Sequence, residues 1–450
     1  MSAARLAAYR ALRAVDEGDD LPAALARYRD GLDDARDRAL VTQLASGVLR
    51  WRAALDFGIA QAARRPTADL DPEVLTVLRL GAYQLGHLER IPAAAAVSES
   101  VRLVRRVRKS SAAGLVNAVL RALAGSSGSM GPPADPGPSG PRAEQLRHLA
   151  VAGSHPEWLV ARWLDRLGYL AARRWIEFNN QVPPVTLRAQ TLRQSRDELS
   201  EMLLREGVST TPTRYAADGL EVVEGNALRT TAFERGAFHV QDEASQLVAM
   251  LAGVAPGERV LDACAAPGGK TLALDAALAG RGLLVAADHR AGRVRLLRGT
   301  LDRMVPARAV ALRFDLTQAL PLRQVFDCVL VDAPCSGLGV LRRDPEIRGR
   351  RTADDLQAMP ATQLRMLSQA ARCVTEGGRL VYATCSTEPE ENQQVVEAFL
   401  ARHPDFRRAA ADEAGALPGE LVDDGYLVTR PDRHGLDGFF GALLERGAER

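Results

Sequence analysis

The chain has 450 residues, of which 46% are hydrophobic and 25% are charged, and its formal net charge at pH 7 is +2. These proportions are typical of a soluble globular protein with two or three domains, and they exclude nucleic-acid binding through a uniformly basic surface. The five cysteines form no cluster, which argues against a disulfide framework and against a zinc site, so we predict a reducing compartment and no metal. The sequence shows neither a signal peptide nor an apolar stretch long enough to span a membrane, so we predict a cytoplasmic protein with no membrane segment.

Residues 1–124 predict an all-helical bundle. Apolar residues recur four positions apart in two segments, and this spacing gives each helix one apolar face: Leu40, Leu44 and Val48, and Leu115, Val119 and Leu123. Five basic residues on one predicted helix suit either phosphate contacts or an ordinary solvated face: Arg102, Arg105, Arg106, Arg108 and Lys109. Gly, Ser and Pro dominate residues 125–142, which predicts a flexible linker that leaves the bundle separable from the rest.

Residues 143–250 predict a second helical stretch and then a small mixed region. The segment from His148 to about Phe178 has a helical pattern, and its three tryptophans are interpreted as core anchors: Trp158, Trp163 and Trp175. Alternating apolar and polar residues predict short strands at Gly219–Val223 and Gly236–Val240. A helix over Gln241–Leu251 is expected to end this α+β part.

Residues 251–450 alternate between strand and helix patterns, which is typical of a parallel sheet with crossover helices. Strands are expected at Arg259–Ala263, Leu283–Asp288, Ala309–Phe314, Val325–Asp332 and Arg379–Thr384, with a last and possibly antiparallel strand at Leu436–Leu444. Helices are expected at Thr271–Leu278, Ala291–Arg303, Asp354–Val374 and Pro389–Ala401. We therefore predict a Rossmann-like α/β domain.

The stretch Asp262–Thr271 joins the first of these strands to its helix through a Pro-Gly-Gly turn. Glycine lets a ligand approach the backbone, and a helix N-terminus favours its negative end, so the turn suits a nucleotide-like cofactor. The spacing is neither G-x-G-x-x-G nor a P-loop, and a plain strand–helix connection is the alternative. Lys270 is one of only two lysines in the chain, which suggests that arginine would not fit there.

Polar residues stand at, or just after, the ends of all five predicted parallel strands: Asp262, Asp288, Asp315, Asp332 and Cys385. Ligands of open α/β sheets bind at this edge. Asp288 suits the hydroxyls of a ribose and Asp315 an adenine amino group, although either could instead be a helix N-cap. Five polar residues on one edge favour a site over ordinary loop chemistry.

Two cysteines lie just past strand ends, Cys335 in Asp-Ala-Pro-Cys-Ser-Gly and Cys385 in Thr-Cys-Ser. Helix-starting dipoles beside them are expected to lower the pKa of a thiol. Two thiols and an acid near a nucleoside-like cofactor predict covalent catalysis on an electrophilic ring. The alternative is that both thiols are buried fillers, a role that Cys328 and Cys373, inside apolar runs, suit better.

Three of these motifs resemble the S-adenosyl-L-methionine (AdoMet)-dependent RNA cytosine-5 methyltransferases: Asp262–Lys270, Asp332–Gly337 and Ala383–Ser386. The first 124 residues resemble the NusB-like RNA-binding domain, through Asp37–Leu40, Gly47–Trp51, Leu78–Gln84 and Val116–Arg121. The combination resembles the bacterial enzymes of this family that act on small-subunit ribosomal RNA, and it covers nearly the whole chain outside the linker.

The resemblance implies a NusB-like RNA-binding domain at 1–124, a linker at 125–142, a substrate-binding region at 143–250 and a catalytic domain at 251–450. The methionine end of AdoMet would be held by Cys264, Ala265, Ala266, Pro267, Gly268, Gly269 and Lys270. Asp288 would bind the ribose, Asp315 the adenine side, and Asp332 would lie between cofactor and base. The resemblance also implies that Cys385 attacks C6 of cytosine and that Cys335 assists breakdown of the adduct.

The chain departs from the family pattern at two positions. Arg188-Ala-Gln190 replaces the usual Arg-Val-Asn, and Leu436 replaces the Thr before Asp-Gly-Phe-Phe. Three other functions are weighed against the resemblance. A DNA-type enzyme would use Cys335 as the nucleophile, and an RNA-binding antitermination factor would need no cysteine at all. A zinc deaminase needs a signature that this chain lacks. Within the family, tRNA or another RNA is the alternative substrate.

Overall fold

The computed structural model describes residues 2–125, 131–305, 308–320, 322, 324–411 and 417–447. The chain forms two compact units, one of residues 1–182 together with 341–351, and one of residues 183–340 together with 352–450. Within those described ranges, no helix is both long and apolar enough to cross a bilayer.

The first unit begins with the helical bundle that the apolar spacing predicts. Its helices are α1 (Ala3–Asp16), α2 (Leu21–Arg29), α3 (Ala35–Arg50), α4 (Arg52–Ala63), α5 (Pro72–His87), α6 (Ala93–Arg106) and α7 (Ala113–Gly125), with one-turn 3-10 helices at Thr67–Asp69 and Ser110–Ala112. Asp71 caps α5 by accepting from the N–H of Glu73 at 3.0 Å. Most of α5 is buried, so it is the central helix of the bundle.

The unit continues through α8 (Arg142–Ala152), α9 (Glu157–Leu167) and α10 (Tyr169–Asn180). Of the three predicted anchors, Trp163 and Trp175 are buried and their ring centroids lie 5.7 Å apart, whereas Trp158 is only partly buried. Residues 131–141 contain neither helix nor strand, yet they are fastened to these helices, because Asp135 accepts from Tyr169 and Arg173. Residues 126–130 of the predicted linker lie outside the described residues. The first unit therefore extends past the linker, which the sequence did not predict.

The segment Leu341–Arg351 belongs to the first unit although it is distant from it in sequence. The buried guanidinium of Arg348 donates to the carbonyl oxygens of Arg50 (2.7 Å) and Asn179 (2.8 Å). Arg342 lies over the ring of Phe178, 4.0 Å from its centroid. Carbonyl oxygens thus satisfy a charge that would otherwise be costly to bury.

The second unit begins with a small antiparallel sheet of strand order β2-β3-β1-β4. Its elements are β1 (Thr186–Ala189), α11 (Arg196–Arg205), β2 (Ser209–Pro212), β3 (Gly219–Glu224) and β4 (Phe238–Val240), with one-turn helices at Ala227–Arg229 and Thr231–Glu234, and α12 (Glu243–Leu251) follows. Leu187, Leu203 and Phe238 are fully buried between the sheet and α11. Both predicted strands are present, the second one starting two residues later.

The large sheet of the second unit has the strand order β11-β12-β13-β9-β8-β5-β6-β7, with β10 pairing β13. Its strands are β5 (Arg259–Asp262), β6 (Leu283–Asp288), β7 (Ala309–Arg313), β8 (Phe326–Asp332), β9 (Val374–Thr384), β10 (Phe406–Ala409), β11 (Val422–Asp423), β12 (Tyr426–Val428) and β13 (Phe440–Arg446). Its helices are α13 (Gly269–Leu278), α14 (Ala291–Met304), α15 (Asp355–Ala371) and α16 (Gln393–Leu400), with one-turn helices at Pro389–Glu391, Gly419–Leu421 and Pro431–His434. Strands β5 to β9 pair in parallel, as predicted.

Three predicted boundaries differ from the structure by more than three residues. Strand β9 starts at Val374, because the helix before it ends at Ala371. The helix predicted from Pro389 begins at Gln393, after a one-turn 3-10 helix. The last strand is antiparallel to β9 and begins only at Phe440, because Gly438 before it binds the chain elsewhere, its N–H donating to Gly339 O at 2.8 Å.

Candidate active site

The glycine-rich turn after β5 has the form that the sequence predicts. Gly268 is the N-cap of α13 with φ +112°, a conformation that favours glycine, and a Cβ there would come within 3.1 Å of Leu297. In the described part of the chain no side chain caps this helix end. Below the turn, Asp262 is fully buried and accepts from Thr271 Oγ1 at 2.7 Å. Burial raises the pKa of Asp262 to about 7.

Lys270 and Asp332 form the charged pair of the site. Lys270 Nζ lies 2.7 Å from Asp332 Oδ2 and 5.5 Å from the ring centroid of Phe439, and the side chain is 11% exposed. Burial lowers the pKa of Lys270, but the Asp332 carboxylate outweighs burial and the net pKa is raised. The lysine therefore remains charged. Phe439 was not predicted as a site residue, although it lies in the Asp-Gly-Phe-Phe motif.

Asp288 lies at the end of β6 and is almost fully buried. Arg293 on α14 donates through Nε to Asp288 Oδ2 (2.9 Å) and through Nη2 to Ala266 O (2.5 Å). The guanidinium thereby links the carboxylate to the glycine-rich turn. Sequence reasoning missed Arg293. Its position, five residues after an acidic strand end and in the first turn of the next helix, is the signal that could have identified it.

Asp315 lies after β7 and is exposed. Its carboxylate accepts from the N–H and the hydroxyl of Thr317, at 2.9 and 2.7 Å, and these bonds lower its pKa. No helix begins here, so Asp315 stabilises a turn and is not a helix N-cap.

Cys335 and Cys385 lie together at the adjacent ends of β8 and β9. The two strands pair in parallel with Asp332 opposite Ala383, and the two Sγ atoms lie 3.3 Å apart. The hydrogen bond with Cys385 and burial raise the pKa of the Cys335 thiol well above its usual value. The predicted lowering by helix dipoles is wrong for Cys335, because no helix starts beside it and the next one begins at Ile347.

Cys328 and Cys373 are fully buried, as predicted for fillers. Burial raises their pKa values to about 12 and about 11. Cys264 is partly exposed, and burial followed by the nearby Asp332 carboxylate raises its pKa well above the usual value. These three thiols therefore stay protonated near neutral pH. Cys335 and Cys385 are the two that the fold brings to the carboxyl edge of the sheet in contact with each other.

The chemistry of this edge fits AdoMet. The glycine turn leads into the N-terminus of α13, which favours a negative group such as the carboxylate of the ligand's amino-acid part. Asp288 and Asp315 offer carboxylate oxygens that can accept from ribose hydroxyls and an adenine amino group. A parallel sheet with this turn and these acids defines the AdoMet-dependent methyltransferase class.

Comparison with known proteins identifies the family within that class. The family model "16S rRNA methyltransferase RsmB/F" matches residues 249–445, "NusB family" matches 2–125, and "Methyltr_RsmF/B-like, ferredoxin-like domain" matches 155–229. The ribosomal RNA small subunit methyltransferase B of Pseudomonas putida is 39% identical over 98% of each chain. The probable small subunit methyltransferase B of Bacillus subtilis is 35% identical over 90% of each. The chain belongs to the RsmB/F family of 16S rRNA methyltransferases.

Solved structures agree with this assignment. A crystal structure of a protein named only by its locus superposes with a TM-score of 0.81, at 25% identity and over 99% of each chain. A methyltransferase homologue from Pyrococcus horikoshii superposes with a TM-score of 0.57, at 26% identity, over 67% of this chain and 98% of its own. The predicted family, the Rossmann-like and NusB-like folds and the cofactor, AdoMet, are therefore confirmed.

Proposed function

We propose that the protein methylates C5 of a cytosine in small-subunit ribosomal RNA, through a covalent bond between Cys385 and C6 of the base. The contact between Cys335 and Cys385, with Lys270 and Asp332 at the same edge, is the observation that carries this proposal. C5 of cytosine is a poor nucleophile until a thiolate adds at C6. A pair of thiols at the carboxyl edge of an AdoMet-binding sheet supplies that chemistry.

The hydrogen bond with Cys385 and burial raise the pKa of Cys335, which suits a thiol that keeps its proton and assists the reaction. From the resemblance of the Thr-Cys-Ser motif to the family pattern, we propose Cys385 as the nucleophile. Lys270 stays protonated next to it and adds a positive charge where a thiolate develops.

The proposed reaction begins when an electron pair of the Cys385 thiolate bonds to C6. The C5=C6 pair shifts to C4–C5 and the C4=N3 pair to N3, which takes up a proton, so that C5 becomes the nucleophilic carbon of an enamine. AdoMet, when bound, would supply the methyl group that C5 takes, and the electron pair of the broken methyl–sulfur bond would stay with that sulfur. A base then removes the C5 proton, the C–H electron pair restores the C5=C6 double bond, the C6–S pair returns to the Cys385 sulfur, and N3 releases its proton. Cys335 assists this last step, because its S–H can donate to the departing Cys385 sulfur 3.3 Å away.

In this proposal the turn residues 264–270 hold the methionine end of AdoMet, Asp288 binds the ribose and Asp315 lies on the adenine side. Arg293 positions Asp288 rather than contacting the cofactor. Asp332, ion-paired with Lys270, lies between cofactor and base. The partial exposure of Asp332 supports this placement, since its pairing with the lysine leaves it accessible.

The RNA substrate is proposed from the family and from the relatives, which are named as ribosomal RNA small subunit methyltransferases, and a cytoplasmic location is proposed with it. Residues 1–124 would bind RNA, 143–250 would contact the substrate and 251–450 would catalyse. On α6, Arg105 and Arg106 are exposed and suit phosphate contacts. Lys109 is instead ion-paired with Asp71 at 2.5 Å, which reduces the predicted basic run.

A single denaturing gel tests the roles of the thiols. The wild-type protein and the two alanine variants are incubated with small-subunit rRNA and AdoMet. Cys385→Ala should be inactive and form no covalent complex, whereas Cys335→Ala should accumulate RNA-linked protein. The reverse pattern would identify a DNA-type use of Cys335. No complex and no methylation with any variant, despite AdoMet binding, would favour a non-catalytic RNA-binding factor.

The class of RNA is tested by methyl transfer to small-subunit rRNA and to tRNA in parallel. Bisulfite mapping of RNA from a strain lacking the gene identifies the modified cytosine. We expect one cytosine of small-subunit rRNA to lose its protection from bisulfite. If a cytosine of tRNA loses its protection and rRNA is unchanged, the substrate is tRNA, and the proposed cytosine-5 chemistry still holds.

A further inference from the structure

The carboxylate of Glu391 lies between the residues that follow the two cysteines. Its Oε2 accepts from Ser336 Oγ and from Ser386 Oγ, each at 2.5 Å. Its Oε1 accepts from Ser336 N–H at 2.8 Å. All three side chains are buried, with exposed fractions of 1% or less. One carboxylate thus binds both Cys-Ser motifs directly.

Glu391 is itself held from three directions. Its backbone carbonyl accepts from the hydroxyl of buried Tyr382 on β9 at 2.6 Å. Gln363 on α15 donates to Glu391 Oε1 and to Pro334 O, both at 3.1 Å. Asn392, the next residue, donates to Ser386 O at 2.9 Å. The carboxylate therefore has a fixed position relative to the loops after β8 and β9.

Strand pairing alone does not set the distance between the two sulfurs. The parallel register between β8 and β9 ends at Asp332 and Ala383, and each cysteine lies in the loop beyond. Past the strands, Gly339 N–H donates to Cys385 O at 3.0 Å, which ties the two loops at the backbone. Next to the cysteines, the Glu391 side chain binds both loops through two hydroxyls, Ser336 Oγ and Ser386 Oγ, which also lie 3.2 Å from each other. Burying a carboxylate among neutral donors is costly, so its presence here calls for a role.

We propose that Glu391 is a positioning residue that keeps the Cys335 and Cys385 thiols in hydrogen-bonding contact by holding the serine that follows each. The charge of Glu391 contributes to the raised pKa of Cys335, so the carboxylate lies near that thiol. The catalytic importance of the contact rests on the proposed function, whereas the geometry of the thiols can be tested without RNA.

Phenylarsine oxide tests this geometry, because its arsenic condenses with two neighbouring thiols and releases one water. The full-length protein is treated with the reagent, and bridged and unbridged protein are separated by mass. Iodoacetamide, which needs one thiol only, gives the reference reactivity of Cys385. We expect Glu391→Ala to lower the ratio of bridging to single-thiol reactivity at least tenfold. Glu391→Gln still offers one side-chain oxygen and should retain most of the bridging.

Glu243→Ala is the matched control, since Glu243 is a buried acid of the same unit that accepts backbone N–H groups at Tyr215 and Ala216. That variant loses stability without changing the bridging ratio. If Glu391→Ala does not fold, Ser336→Ala combined with Ser386→Ala removes the two hydroxyl contacts and should lower the ratio at least threefold. A folded Glu391→Ala, or a folded double variant, that bridges arsenic like wild type would overturn the proposal.

An RNA measurement keeps this result separate from the proposed function. In single-turnover methylation, Glu391→Ala should be at least tenfold slower, with an unchanged dissociation constant for AdoMet. If bridging falls in Glu391→Ala but the Cys335→Ala protein accumulates no RNA adduct, the positioning role stands and the covalent function fails. If Cys335→Ala accumulates the adduct and bridging is unaffected by Glu391→Ala, the function stands and the positioning role fails.

Discussion

The carboxyl edge of the large sheet has two halves that are held together differently: a thiol half at the ends of β8 and β9, and a cofactor half at the ends of β6 and β7. At the ends of β8 and β9, buried hydrogen bonds fix the loops of Cys335 and Cys385, through Glu391 and through the backbone at Gly339. At the ends of β6 and β7, the hydrogen bonds of Asp288 and Asp315 are more exposed to solvent. Arg293 is half exposed where it binds Asp288. Asp315 is itself exposed and accepts from the N–H and the hydroxyl of Thr317 in its own turn.

The difference matches what each half has to do. A covalent reaction needs two sulfurs held to within a fraction of an ångström, and buried, mutually satisfied groups provide that order. A cofactor must enter and leave at every turnover, so its acceptors have to stay accessible. We therefore expect substitutions in the thiol half to affect folding and chemistry together, and substitutions in the cofactor half to affect AdoMet affinity alone.

The largest effect is expected from Gly339→Ala in the thiol half. A methyl group at Gly339 would lie 1.8 Å from Gly438 O, and backbone atoms cannot move away as a flexible side chain can. Overpacking of this kind costs about 3 kcal/mol or more, and it displaces the loop that binds Cys385. Urea unfolding should show the loss of stability, and the RNA adduct gel, run in the Cys335→Ala background in which the adduct accumulates, should show less RNA-linked protein.

Gly299→Ala provides the control for that substitution. Gly299 is exposed on α14 and an added Cβ meets no atom within 4 Å. Replacing a helical glycine by alanine should leave the protein as stable as wild type or about 0.5–1 kcal/mol more stable. Equal stability of Gly339→Ala and Gly299→Ala would mean that the close approach of the Gly339 loop to Gly438 does not contribute to the stability of the protein.

In the cofactor half, Asp288→Ala should weaken AdoMet binding without unfolding the protein. A hydrogen bond to a charged group contributes about 1.5–3 kcal/mol, which corresponds to a dissociation constant raised about 10- to 100-fold. Calorimetry without RNA measures this dissociation constant for AdoMet. Asp315→Ala should have a smaller effect, since Asp315 is exposed to water. Unchanged affinity in Asp288→Ala would remove that residue from the site.

The same contrast explains how far the sequence could predict the structure. Strand ends, the glycine turn and both Cys-Ser motifs are local patterns, so the five parallel strands and the clustered site residues followed from them. Glu391, Arg293 and the segment Leu341–Arg351 did not. Each acts through side chains that meet residues from other elements, and a single sequence carries no signal for such pairings. From the sequence alone Arg348 cannot be distinguished from a surface arginine, whereas in the structure it is buried.

Asp262, at the end of β5 between the two halves, should give a smaller effect that depends on pH. The pKa of Asp262 in the folded protein is about 7 and lies above the usual 3.8 of an aspartate, so the folded state favours the protonated form. Its contribution to stability is full below about pH 4 and is lost as the pH rises towards 7, with a limiting slope of about 1.4 kcal/mol per pH unit. Asp262→Asn should flatten this part of the stability profile.

Urea midpoints at pH 5, 6 and 7 compare the two proteins, because every other titrating group is common to both. Asp315→Asn is the control. The pKa of Asp315 is lowered in the folded protein, so it does not titrate in this range and its replacement should leave the slope unchanged. Parallel profiles for wild type and Asp262→Asn would mean that the buried carboxyl is not protonated in the folded state.

The smallest effect is expected outside the sheet, and it sharpens the comparison by leaving both halves intact. Arg105→Ala combined with Arg106→Ala removes two exposed charges from α6. If both contact phosphates, the slope of log affinity for RNA against log salt should become shallower by about 1.4 to 1.8, while AdoMet affinity and thiol bridging stay unchanged. Lys109→Ala should alter the slope little, because the ammonium is already paired with Asp71 and Glu73. Equal slopes for the double variant and wild type would show that this helix face is merely solvated, and the RNA contacts would then have to lie elsewhere.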